Sequence, residues 1–209
     1  MRKYLTEFIG TFLFVLTVGM VVIDPGGSGP LAAIPIGAAL MVLVYAGGHV
    51  SGGHYNPAVT LAVWLRGRCP ASDVPFYWGA QILGALLASQ LVMFLKGDPT
   101  VTPANIVIGR ALLSEFIGTF ALAYVVLNVA TAKANAGNSF YGLAIGFTVV
   151  VMAFSHGPVS GGAFNPAIAT GIIVMHIEKF ANYWVYLAGD FAGAALAAVT
   201  FKFINPEDK

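Results

Sequence analysis

The chain has 209 residues, of which 58% are hydrophobic and only 9% charged, with a mean hydropathy of +0.82. Soluble domains carry about 25% charged residues, so this composition excludes an ordinary water-soluble domain and reads as an integral membrane protein. A net charge of +1 offers no electrostatic footprint for nucleic acid, and a single cysteine, Cys69, excludes an internal disulfide.

The first apolar run, near 4–23, follows Arg2 and Lys3 and has the outline of a secretion signal. Its core, Thr6-Glu7-Phe8-Ile9-Gly10-Thr11-Phe12, returns as Ser114-Glu115-Phe116-Ile117-Gly118-Thr119-Phe120. A segment duplicated deep in the chain belongs to the fold, so the run is expected to be the first membrane helix. A second long run covers 33–50 and a third 76–96. A loop near 97–109, with Gly97-Asp98-Pro99 and Pro103, joins the halves. Runs near 110–130, 140–157 and 180–203 follow. Each of the six can cross a hydrocarbon core of about 30 Å, allowing for tilt.

Two shorter segments, near 57–66 and 166–175, span only about 15 Å as helices. Non-helical backbone at membrane depth is tolerated only inside protein or beside a water-filled cavity. Half-length helices in matching repeat positions therefore point to a site at the bilayer midplane. Three full crossings per repeat force opposite orientations on the two halves. The expected fold is all-α: six transmembrane helices plus two half-helices, built from inverted repeats over about 1–100 and 108–205. Neither half can bury its half-helix alone, so the chain is expected to form a single domain. Arg2, Lys3, Arg66, Arg68, Lys133, Lys202 and Lys209 fall on one side, and Lys96, Arg110 and Lys179 on the other. The positive-inside rule then predicts cytoplasmic amino and carboxyl termini. Gly142 and Gly146, and Gly189 and Gly193, are spaced for close helix contacts.

Each short segment opens on the same tripeptide, in the frames Ser51-Gly52-Gly53-His54-Tyr55-Asn56-Pro57-Ala58 and Ser160-Gly161-Gly162-Ala163-Phe164-Asn165-Pro166-Ala167. Asparagine is a preferred N-cap and proline suits the first helical position. Two half-helices from inverted repeats meet with their N-termini facing, which puts partial positive charge at mid-membrane. The Asn56 and Asn165 amides can offer donors there. The arrangement favours neutral polar solutes and opposes cations. One such tripeptide would be an ordinary loop-to-helix turn; two in a repeated frame are a built feature.

The chain resembles the aquaporin and glycerol-facilitator family, the major intrinsic proteins. The resemblance rests on both Asn-Pro-Ala motifs, both Glu-Phe-Ile-Gly-Thr segments, Ser51 to Thr60 and the Tyr77 to Gln81 stretch, and it covers essentially the full length. It implies a right-handed bundle with one pore per subunit and a homotetramer. It also implies passage of water, glycerol or other small neutral solutes down a gradient, no cofactor and no metal. By the same resemblance Glu7 and Glu115 buttress the pore loops, and His54 lines the lumen. His49 and His156 are expected to brace loops. The implied location is the plasma membrane or a cell's inner membrane.

The family's outer constriction normally carries an arginine directly after the second Asn-Pro-Ala. Here the residue is Ile168. The other three positions, counted from the motifs, are Ile36, Ala153 and Gly162; a one-residue shift would put Met152 or Phe154 in place of Ala153. This set has no side-chain donor and matches neither the water-selective nor the glycerol pattern. An apolar constriction can still stop ions by dewetting. A second departure is Asp190, an acid inside a span, where the family usually has proline and the first repeat has Gln81. The expected function is a passive channel for water or small uncharged solutes. Within that class the alternatives are preference for glycerol, ammonia, hydrogen peroxide or dissolved gas. A secondary transporter is the alternative from another class, and the scatter of Glu7, Glu115 and Asp190 along the chain argues against its ion site. No nucleophile–base pair supports an enzyme.

Overall fold

A computed structural model describes residues 1–24 and 26–208; Lys209, counted above among the basic residues of one side, lies outside them. The described residues are helical, with no strand. Six helices are long and apolar enough to cross a membrane: α1 (Arg2–Val22), α2 (Ala33–Ser51), α4 (Val74–Leu95), α5 (Ile108–Val126), α6 (Tyr141–Ser160) and α8 (Tyr183–Ile204). Two nine-residue helices, α3 (Pro57–Leu65) and α7 (Pro166–Val174), are the half-length elements.

The two repeats run in the same order and interlock. Within each, the first helix packs on the second and fourth, as α1 on α2 and α4, and α5 on α6 and α8. Across them, α2 packs on α6, while α3 lies on α8 and α7 on α4. Each half-helix is thus held by the other repeat. The outward faces remain apolar: Phe94, Phe203, Leu5 and Val199 are all well exposed, as a lipid-facing surface requires.

Local chemistry sets the helix ends. Gly52 and Gly161, at φ 91° and 92°, cap the C-termini of α2 and α6 in the left-handed region and turn the chain back into the bundle. The sixth helix outruns its predicted end at 157 and continues through Pro158 to Ser160. Proline lacks the N–H that would bond the Phe154 carbonyl, but the Gly161 cap carries the helix to its turn. The fifth helix starts at Ile108 and ends in a wider π-type turn, Leu127–Thr131. There Asn128 Nδ2 donates to the Tyr124 carbonyl at 2.8 Å, and Thr131 Oγ1 to that of Leu127 at 2.6 Å. Side chains that compete for backbone acceptors loosen a helical ladder in this way.

The glycine spacings read from the sequence are contacts. A Cβ on Gly193 would stand 2.4 Å from the Phe116 carbonyl oxygen, and one on Gly146 2.5 Å from that of Gly37. Two further notches, Gly10 and Gly118, are tighter still and hold aromatic rings. A Cβ there would lie 2.0 Å from the Tyr55 ring and 2.2 Å from the Phe164 ring.

At one side of the bundle Lys3 and Tyr4 hydrogen-bond the Asp73 carboxyl, so α1 is pinned to the start of α4. These two partners hold Asp73 below the usual carboxylate range. On the same side Asp208 accepts from Arg66 at 2.7 Å and from the Lys133 backbone N–H at 2.8 Å. On the opposite side the Ala104 N–H donates to the Ile177 carbonyl, and Lys179 to Asn105.

A side chain at Gly118 must displace a ring held on a strained backbone. Gly118→Ala is expected to destabilise the fold by about 1–3 kcal/mol, the usual cost of overpacking. The control is Gly79→Ala, whose Cβ would meet nothing within 4 Å and which should hold or raise stability. Thermal unfolding midpoints of the purified variants in detergent check this; equal midpoints would remove the notch from the argument.

Candidate functional site

The chain around each tripeptide is fixed before any pore is considered. Asn56 Oδ1 accepts from the N–H groups of Ala58 (2.8 Å) and Val59 (3.3 Å); Asn165 Oδ1 accepts from Ala167 (2.9 Å). These are side-chain N-caps, with Pro57 and Pro166 at the first helical positions. The amide groups then cross between repeats. Asn56 Nδ2 donates to the Phe164 carbonyl, and Asn165 Nδ2 donates to that of Tyr55, both at 2.9 Å. The two half-helices therefore meet N-terminus to N-terminus. One N–H of each amide is used in this cross-link, which leaves one for a lumen.

Tyr55 and Phe164 take φ near 47°, a region L-residues with large side chains rarely occupy. Two restraints hold each of them. The ring fills the glycine notch, and the backbone N–H is bound by a carboxylate. Glu7 accepts from Ser51 Oγ (2.7 Å), the N–H groups of His54 (2.9 Å) and Tyr55 (2.6 Å), and Gln81 Nε2 (2.8 Å). Glu115 accepts from Ser160 Oγ (2.5 Å) and the N–H groups of Ala163 (3.1 Å) and Phe164 (2.6 Å). Both carboxyl groups are fully buried.

Two cavities adjoin this junction and share His54 and Val126. The first, of about 500 Å³, reaches from Asn56 and Asn165 out to Gly29, Pro30 and Ile177. Ile36, Ala153, Gly162 and Ile168 all line it. Phe154 lines it beside Ala153, whereas Met152 does not. Among the described residues its wall has no Lys, Arg, Asp or Glu, and its polar side chains are His54, Asn56 and Asn165. The second cavity, of about 790 Å³, opens toward the other side past Lys3, His49, Arg68, Asp73 and Lys133. His54 is 7% exposed and its Nδ1 lies 3.1 Å from Thr60 Oγ1. Cys69 borders this second cavity; burial pushes its thiol up, away from the reactive thiolate.

His49 and His156 lie on α2 and α6 shortly before the glycine caps that turn the chain into the two pore loops. Each amide spends one donor on the opposite repeat and keeps one toward the cavity. One reading from sequence needs correction: Glu115 and Asp190, far apart along the chain, are brought together because Gly189 and Gly193 let α5 and α8 touch, while Glu7 stays with the first loop. Sequence reasoning also missed Gly10, Gly118, Tyr55, Phe164, Ser51, Ser160 and the Tyr77–Tyr186 pair. Tyr77 donates its hydroxyl to the Ser51 carbonyl (2.7 Å) and Tyr186 to that of Ser160 (2.5 Å). All recur at the repeat offset, so laying the two halves side by side would have found them.

Six crossings, with two half-helices meeting at cavities on both sides, define a multi-pass membrane channel. The chain belongs to the major intrinsic protein family, whose model matches residues 1–201. It is 38% identical over 218 aligned residues to Aquaporin NIP1-1 of Oryza sativa subsp. japonica, covering 100% of this chain and 76% of that protein. It is 35% identical to Nodulin-26 of Glycine max, over 100% of this chain and 80% of that one. The aquaglyceroporin from Plasmodium falciparum shares the fold, with a TM-score of 0.84 at 22% identity, over 99% of this chain and 97% of that chain. The protein is accordingly a passive channel for water or small solutes, and not an enzyme.

Glu115→Leu strands three buried donors at once, each costing about 1–3 kcal/mol. The expected outcome is loss of most monodisperse protein on purification, whereas solute preference in any folded remainder stays as in wild type. Size-exclusion yield and vesicle permeability measure the two. Normal yield with altered preference would instead make Glu115 a selectivity residue.

Proposed function

We propose that this channel passes small uncharged solutes through an apolar outer constriction and separates water from less polar molecules weakly. The reading rests on one observation: among the described residues, the cavity that holds Ile36, Ala153, Gly162 and Ile168 has no charged side chain in its wall and only three polar ones, all at its inner end. A solute there must keep waters or bond to backbone carbonyls, since an unpaired polar group in an apolar setting costs about 1–3 kcal/mol. Ions lose far more hydration than uncharged solutes do. The positive ends of α3 and α7 add a barrier to cations where the cavities meet. His54, Asn56 and Asn165 act at this junction as the polar step, with the paired Pro57-Ala58 and Pro166-Ala167 starting the half-helices. The two repeats, about 1–100 and 108–205, work as a single channel unit. The assembly is a homotetramer with a pore in each subunit and both termini in the cytoplasm, as the cluster of basic residues around Lys3, Arg68 and Lys133 favours.

Stopped-flow light scattering on reconstituted vesicles, with sucrose, glycerol and ammonium gradients, tests this reading. Water and at least one larger uncharged solute should equilibrate, and neither should accumulate against its gradient; accumulation would mean a transporter. Ile168→Arg restores charge and donors at the outer cavity. It should lower glycerol permeation by roughly tenfold relative to water, the effect of about 1.4 kcal/mol on a barrier. Unchanged ratios in a folded variant would take position 168 out of the constriction.

A further inference from the structure

The repeats differ at one buried position whose chemistry is unresolved by the channel reading. In the first, Gln81 donates an amide N–H to Glu7 Oε2 at 2.8 Å. The repeat-related residue is Asp190, which has no amide hydrogen to give. It is 0% exposed. Its Oδ1 accepts from Thr119 Oγ1 at 2.8 Å, and the Asn165 backbone N–H also faces the carboxyl. Its Oδ2 has no N–H or O–H donor among the described residues. The Glu115 carboxyl lies beside it: Thr119, which donates to Asp190, stands one turn beyond Glu115 on α5, and a Cβ on the neighbouring Gly189 would be 2.9 Å from Glu115 Cβ. The described ion pairs involve the acids Asp73 and Asp208 alone, so among the described residues no cation pairs with Asp190 or Glu115.

Two carboxyl groups in contact, buried and without a cation, cannot both be ionised; one proton between them turns repulsion into a hydrogen bond. Counting donors decides where it sits. Glu115 already accepts three hydrogen bonds from Ser160, Ala163 and Phe164, the pattern of an ionised acceptor. Asp190 accepts on Oδ1 and leaves Oδ2 free. We propose that Asp190 is a neutral carboxylic acid whose Oδ2–H donates to Glu115, so that a bound proton does in the second repeat what an amide does in the first. Asp190 is thereby a positioning residue for the second pore loop. It orients Glu115, Glu115 holds the Ala163 and Phe164 N–H groups, and the Phe164 carbonyl receives the Asn56 amide. Two further titratable groups face this pair: Tyr186, committed to the Ser160 carbonyl, and Glu178, 3.2 Å from that tyrosine's hydroxyl.

Infrared spectroscopy on the purified chain in an ester-free maltoside detergent reads the proton directly. At neutral pH the wild type should show a protonated-carboxyl carbonyl band, and it should move when aspartate carboxyls carry carbon-13. Asp190→Asn keeps a donor toward Glu115 and removes the acid; it should lose the band yet keep folded yield and solute permeability. Asp190→Leu, which removes the donor as well, should lose yield. Thr119→Val supplies a second route should the asparagine variant fail to fold: with the hydroxyl donor to Oδ1 removed, the band should shift upward. No band in wild type, a band indifferent to the aspartate label, a band that survives Asp190→Asn, or one unmoved by Thr119→Val would each overturn the proposal.

Discussion

A loop that dips into a membrane exposes backbone N–H groups that water cannot reach, and each must find an acceptor or cost several kcal/mol. Glu7 and Glu115 meet that demand here. Each sits on the first helix of its repeat and gathers a serine hydroxyl and two consecutive loop N–H groups on one carboxylate. Charge-assisted bonds of this kind are worth about 1.5–3 kcal/mol apiece. Together they offset both the burial of the carboxylate and the strained backbone at Tyr55 and Phe164. With the loops fixed, Asn56 and Asn165 are brought within reach of each other's repeat, and the half-helices gain a fixed end-to-end alignment.

The two repeats solve the same problem with different residues, and the differences compensate. The Tyr55 hydroxyl presses on Gly47, where a Cβ would stand 2.0 Å away, and donates to the Leu43 carbonyl. Phe164 has no hydroxyl, and the position related to Gly47 is free to carry a side chain, His156. His54 stands in the first loop where the second has Ala163, so an imidazole joins the two asparagines at the cavity junction from one repeat only. Gln81 and Asp190 form the third such exchange. The fold constrains the hydrogen bond to be made; it leaves open which atom brings the hydrogen.

The cavities on either side of the junction are unlike. One is bounded by Lys3, His49, Arg68, Asp73 and Lys133, groups that keep water and counter-ions close. The other is walled by aliphatic side chains from α1, α2, α5, α6 and α7. On the function proposed above, a solute that crosses gives up most of its hydration partners in the apolar cavity, and that side sets the barrier. Ile168 belongs to the first turn of α7, directly behind the N-cap, where a longer cationic side chain would reach into the same space.

Much of this was legible in the chain itself. Period and hydropathy gave six spans, because a membrane tolerates nothing else of that length. The duplicated frames gave the half-helices and their facing ends, because Asn-Pro acts locally as a cap wherever it falls. Even the glycine pairs on α6 and α8 could be read from spacing. What the sequence could not decide was partnership between distant residues. That Glu115 and Asp190 touch, that Asn56 spends an N–H on Phe164, and that Gly118 exists to admit a ring 46 positions away all depend on how α5, α8 and the second loop pack. Local propensity acts over a turn or two of chain; burial and hydrogen-bond satisfaction act on whatever the fold brings together, and only the tertiary structure specifies that.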